Sequence, residues 1–440
     1  MTVHGFLDDF SKFAADHGRN PEWLLPVRRA AIERFGERGF PTTRDEDWHF
    51  TSAARIADAE FVSLAAGGGD VRAADLEPFT FGATDWTQLV FVNGRYTPEL
   101  SAVGALPAGV RVASLADALR EGVPAVRERL TSLAALDHGA FVALNTALFV
   151  DGGFVHVPAN VVVERPIHLL FVADADGASG AAHPRTLIIA DRHARATIVE
   201  SYVAVGDPMY FMNPVTEVVL ADGAHVTHLR VQRESERAYH VGTTQAHQGR
   251  DSKYSSFSFA TGAALSRTNI YTVLAGPGGE VTLNGLYMAD GTQHVDHQTR
   301  IEHVAPNCTS HEVYKGVLDD AAHGVFNGKV YVHPEAQKTD GKQTNNNLLL
   351  SPDAHIDTKP QLEIFADDVK CTHGATVGQL DENALFYLRS RGLGADDAKT
   401  LLTYAFAADV VQRIDEPAVR DALETLARER FVGAMPAGVG

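Results

Sequence analysis

Along the first 150 residues the apolar positions recur with the period of a helix. Leu7, Phe10, Phe13 and Ala14 share one helical face. Asn20 and Pro21 read as a cap and a first-turn proline, which predicts a second helix from Glu22 towards Phe35 that stops near Gly36. Residues 40–51 read as an ordered loop, Gly67, Gly68 and Gly69 as a flexible break, and residues 89–92 as a short strand entering an Asn93-Gly94 turn. Two further helical stretches are expected, over 115–119 and over 125–149.

The period changes at Asp151-Gly152-Gly153. From there to Leu380 short alternating runs dominate, among them 186–189, 196–199, 217–220 and 225–231. They are separated by similar corner phrases at 221–226, 275–281, 305–309, 333–336, 351–356 and 366–369, spaced about fifteen or about thirty residues apart. Hairpin turns are few. A coil that stacks each rung on the one before needs corners and no hairpins, so a parallel β-helix is favoured over a sandwich. Helical signals return at the end. Asp381 opens a helix closed by Gly392, residues 394–397 cap a second, and Pro417 starts a third. In the middle helix Leu401, Leu402, Tyr404, Ala405, Phe406, Val410 and Val411 cover more than one face, so its neighbours or another protein must pack on both sides. The expected class is mainly β, with a helical region over 1–149, a parallel β-helix core over 150–379 and a helical domain over 380–440.

Composition narrows the function classes. The 440 residues carry 38 basic and 56 acidic side chains, a formal charge of -18, which opposes nucleic acid and anionic lipid. No apolar stretch approaches the ~18 residues of a membrane span, and the N-terminus lacks the pattern of a signal peptide. Two cysteines cannot build a disulfide framework or a four-thiolate site. A soluble, cytoplasmic protein is expected, with neither nucleic acid nor membrane as partner.

Residues 324–329 come nearest to a P-loop, but they are one residue short, Val330 stands where the Mg²⁺-binding hydroxyl belongs, and no helix follows. The pairs Asp319-Asp320 and Asp367-Asp368 lie on adjacent positions and cannot both face one sugar; they read as turn caps. Eight of the 20 histidines lie between His294 and His373, and most read as hydrogen-bonded corner or rim residues. The sharper pair is Cys371 and His373, on one face of a strand with Cβ atoms roughly 6–7 Å apart. A thiolate and an imidazole so placed suit iron, zinc or an iron–sulfur fragment if a second chain completes the shell. The same two residues also read as a buried cysteine beside a corner histidine. As a nucleophile pair they lack a third orienting group. Cys308 reads as core or turn packing.

The run from Lys338 to Ser351, continuing from Pro360 through Ala366-Asp367-Asp368-Val369-Lys370-Cys371-Thr372-His373-Gly374-Ala375 to Gly378, ends with residues 385–392. It closely resembles the SufD family, scaffold components of the SUF iron–sulfur cluster assembly machinery. Residues 315–318, 151–158, 164–167 and 44–48 extend the resemblance to most of the chain, weakest over 52–140. The resemblance implies a right-handed parallel β-helix flanked by helical regions, and no catalytic activity of its own. It implies pairing with the paralogue SufB through the β-helices and binding of the SufC ATPase, which would hold the ATP, through the C-terminal helices. A homodimer could form in isolation. It places the family's interface histidine at His373 and the neighbouring cysteine at Cys371, as a cluster site shared with the partner, with no cofactor held stably. A SufB-type paralogue and a β-helix carbohydrate enzyme are the alternatives.

Overall fold

The computed structural model describes residues 3–14, 21–59, 61–64, 70–174 and 179–432. The Asn20 cap and the Gly67–Gly69 break lie outside them. Two parallel sheets wind into a solenoid of about eight turns, each turn adding one strand to each sheet. The register residues His225, Lys253, Glu280, Thr309, Asp340 and Lys370 stand on one line of the second sheet (sheet B), roughly thirty residues apart. In-register stacking brings like residues together. Phe91, Phe171 and Tyr202 are aligned on consecutive strands, and their rings stack at 4.8 and 5.1 Å. This column forms part of the apolar core inside the coil.

The strand Thr87–Val92 opens sheet B by pairing with Ile167–Ala173, so the first region contributes to the solenoid as well as covering it. Its turn is the expected one: Asn93 and Gly94 adopt φ of 52° and 78° and lead into the antiparallel Arg95–Tyr96. Two helical expectations change. The second helix runs over Leu24–Arg38; Gly36 lies inside it against Leu7, and Gly39, at φ 66°, ends it by donating to the Phe35 carbonyl. The single helix expected over 125–149 is two, Pro124–Arg129 and Ala140–Leu148. The break is held by the buried Glu217 carboxylate, which accepts from the backbone N–H groups of Thr131, Leu133 and Ala134 while paired at 2.7 Å with the buried Arg185. Those are the donors a helix break leaves without partners.

The N-terminal segment closes over the first sheet (sheet A). Arg267 stacks on Trp48 at 4.0 Å and donates to the Asp47 carbonyl, while Thr51 donates to Asp296 at 2.6 Å. Of the C-terminal helices Glu382–Ser390, Ala395–Val411 and Pro417–Val432, the last two pack on sheet B and the first packs against the second. Ala407, Val410, Val411, Val419 and Leu423 pack on Leu229, Phe257, Phe259, Leu286 and Val317 of its outer face. Lys315 pins this contact, donating to the Phe406 carbonyl and pairing with Asp409 at 2.8 Å. Thus solenoid and helices cover much of the middle helix, yet Leu401 on it and Phe386 and Tyr387 on the helix before it stay exposed. No helix among the described residues is long and apolar enough to cross a membrane.

Candidate functional site

Among the described residues the solenoid ends in two strands with one neighbour each: His355–Ile364 in sheet A and Lys370–Gly378 in sheet B. Pro360 sits within the first, where the missing N–H is tolerated because one side of the strand has no ladder partner. The second contains no proline, so its free edge keeps its full set of donors and acceptors.

Cys371 and His373 share a face of that last strand. Their register partners are Gly341 and Gln343, whose strand alternates buried and more exposed positions, with Gly341, Gln343, Asn345 and Asn347 buried. Both residues therefore stand on the inward side, at the mouth where no further turn covers the coil. Cys371 is half-buried beside Val330, Val332, Ala336 and Ala366, and burial pushes its thiol up from its ordinary value. A metal bound there would have to displace the thiol proton. His373 is exposed at the mouth. Below it in register lie Gln343 and then Glu312. Gln343 donates to Glu312 at 2.6 Å, and full burial raises the Glu312 carboxyl to about 7.

The other histidines divide by face. His294 and His297 do point to opposite sides, as their spacing requires. His297 lies inside the coil, stacked on Tyr287 at 5.1 Å, and His303 is buried beside Ser310. These two are interior residues and not rim residues, because their strand alternation puts them on the inner face. His333 bonds Glu302 at 2.7 Å on the outer face. Asp319, Asp320, Asp367 and Asp368 occupy corners; Asp320 accepts from the Gly291 N–H. Cys308 is buried in a corner, its thiol directed at the Gly276 carbonyl.

Sequence reasoning missed the polar interior. His228 bridges Glu200 at 3.1 Å and the Tyr254 hydroxyl at 2.9 Å; Glu234 pairs with His240 at 2.7 Å; Arg230 lies over the Tyr202 ring and donates to Thr268. All are buried. The available signal was the run of polar residues at every second position of a strand, which reads equally well as a wet outer face.

The comparisons agree with this architecture. The family model described as "SUF system FeS cluster assembly, SufBD core domain" matches residues 171–406, and "SufBD protein N-terminal region" matches 11–169. An iron-sulfur cluster assembly SufBD family protein of Synechocystis sp. is 37% identical over 408 residues, covering 90% of this chain and 89% of the relative. Iron-sulfur cluster assembly protein SufD of Escherichia coli is 32% identical over 412 residues, covering 93% of each. The SufD of Bacillus subtilis is 29% identical over 430 residues, 94% of this chain and 95% of the relative. Fold and matches together define a β-solenoid component of iron–sulfur cluster assembly. The chain belongs to the SufBD family of the SUF system.

Proposed function

We propose that this chain is the SufD-type scaffold of a cytoplasmic SUF complex, itself without catalytic activity. It pairs with a SufB-type paralogue through the open end of the solenoid and carries the SufC ATPase on its C-terminal helices. The observation that carries this reading is the free edge of Lys370–Gly378 with Cys371 and His373 side by side at the mouth of the coil. An unpaired strand with complete donors and acceptors is a template for a strand from another chain. Two soft or borderline ligands on that edge are an incomplete set, which a partner completes for the cluster being built, the cargo of the complex, and which releases it again. The exposed Phe386, Tyr387 and Leu401 supply an apolar surface for the ATPase.

The test is co-expression with the SufB-type paralogue and SufC, comparing wild type with His373→Ala. His373 is exposed, so the variant keeps the fold. Cluster content per purified complex should fall severalfold while the complex stays assembled. Unchanged cluster content would overturn the assignment.

A further inference from the structure

The solenoid stacks three histidines on the outer face of sheet A. His294, His323 and His355 start three consecutive strands in exact register, with ring centroids 4.6 and 4.9 Å apart. Two residues on, Asp296, Val325 and Asp357 repeat the alignment on the same face. The first rung is closed. His294 meets the Thr51 hydroxyl at 2.9 Å, and Asp296 is taken up by Thr51, Gln298 and Arg267 beneath the N-terminal segment. The outer rungs are arranged differently. One oxygen of Asp357, Oδ2, faces the Nε2 of His323 at 2.8 Å and the Nε2 of His355 at 3.3 Å.

From this geometry we propose that His323, His355 and Asp357 bind a divalent first-row transition ion, Zn²⁺ or Fe²⁺, at a site separate from the cluster mouth. The three candidate ligand atoms lie within 4.8 Å of one another. Imidazole nitrogens and a carboxylate oxygen at about 2.0–2.2 Å from an ion stand roughly 3.3–3.5 Å apart when tetrahedral. The Asp357–His355 contact already has that separation, and the Asp357–His323 contact reaches it by opening about half an ångström. Two imidazoles with one carboxylate and open remaining positions are a set that zinc and ferrous iron both accept. Solvent can fill those positions, since the His355 side chain is 64% exposed and that of His323 30%. The strand spacing of the solenoid fixes the separation of the two rings before any ion arrives, so little order has to be created on binding. Cys371 and His373 are on the inner face of the other sheet, and the assignment does not depend on the function proposed for them.

The experiment uses the untagged full chain, stripped with a chelator and titrated with Co²⁺, whose visible d–d absorption reports low-symmetry nitrogen–oxygen coordination. One equivalent should bind, and His355→Ala and Asp357→Asn should each weaken binding by about tenfold or more. The double variant Cys371→Ser/His373→Ala should bind Co²⁺ as wild type does. Circular dichroism before titration confirms that each variant is folded; His355→Gln replaces His355→Ala if that variant is not. Competition with Zn²⁺, and with Fe²⁺ under anaerobic conditions, identifies the preferred ion as the one that displaces Co²⁺ at lower concentration. Absence of stoichiometric binding overturns the proposal, as does binding that survives both Asp357→Asn and the His355 variant. Binding lost only with Cys371 and His373 also overturns it, and assigns the metal to the mouth instead.

Discussion

Glu312 offers a quantitative test of the polar interior. Its carboxyl is fully buried on the inner face of sheet B, with Gln343 as donor and no cation beside it among the described residues, and burial raises it from 4.5 to about 7. The folded chain therefore keeps a proton that the unfolded chain loses between these two values. Stability from this group is intact below about pH 4.5, falls as pH rises towards about 7, and is flat above that. The full effect is the shift multiplied by about 1.4 kcal/mol per pH unit, on the order of 3 kcal/mol. Glu312→Gln keeps the size and the acceptor but has no titrating proton. Urea unfolding of both full chains across about pH 5 to about pH 8 isolates the Glu312 contribution, because every other titrating group is common to the pair. The two should be similar near pH 5, with the variant the more stable by roughly 3 kcal/mol near pH 8. Parallel stability curves for the two proteins would refute the reasoning, and so would a variant less stable than wild type at the alkaline end.

Two further outcomes are expected. Gly316 stands in register with Tyr287 on the neighbouring strand, and a Cβ there would sit 2.2 Å from the Tyr287 ring, whereas one on Gly374 would meet nothing within 4 Å. Gly316→Ala should cost about 1–3 kcal/mol in urea unfolding and Gly374→Ala much less; equal costs would contradict the interior packing. Phe386→Asp with Leu401→Asp should abolish co-purification of the SufC ATPase while leaving the unfolding midpoint unchanged. These exposed positions serve better than deleting 394–431, which would uncover Leu229, Phe257 and Leu286 on sheet B.

Much of this was legible in one dimension. Corners recurring about every thirty residues, with few hairpin turns, favour a stacked coil, because stacking satisfies strand edges without reversing the chain. The i, i+2 spacing of Cys371 and His373 puts them on one face of any strand, whatever surrounds it. Caps such as Asp381 and Pro417 act within a single turn, so the C-terminal helices were also readable locally. The failures were where a distant group intervenes. Nothing between residues 125 and 149 announces that a carboxylate from Glu217 will hold three N–H groups of a broken helix.

Local sequence thus dictated most of the elements, the repeat and the pairing of the candidate ligands, since each depends on a period of two or 3.6 residues or on a turn. Which face of a strand is wet depended on assembly. Alternation separates two faces but does not say which is inside, so nothing in the spacing of Glu200, His228 and Glu312 marks them as the interior residues they become when the coil closes. The same closure left Lys370–Gly378 without an outer neighbour. It also set His323 and His355 one strand apart, although 32 positions separate them in the chain. Such neighbours arise from the pitch of the solenoid, a property no single rung possesses.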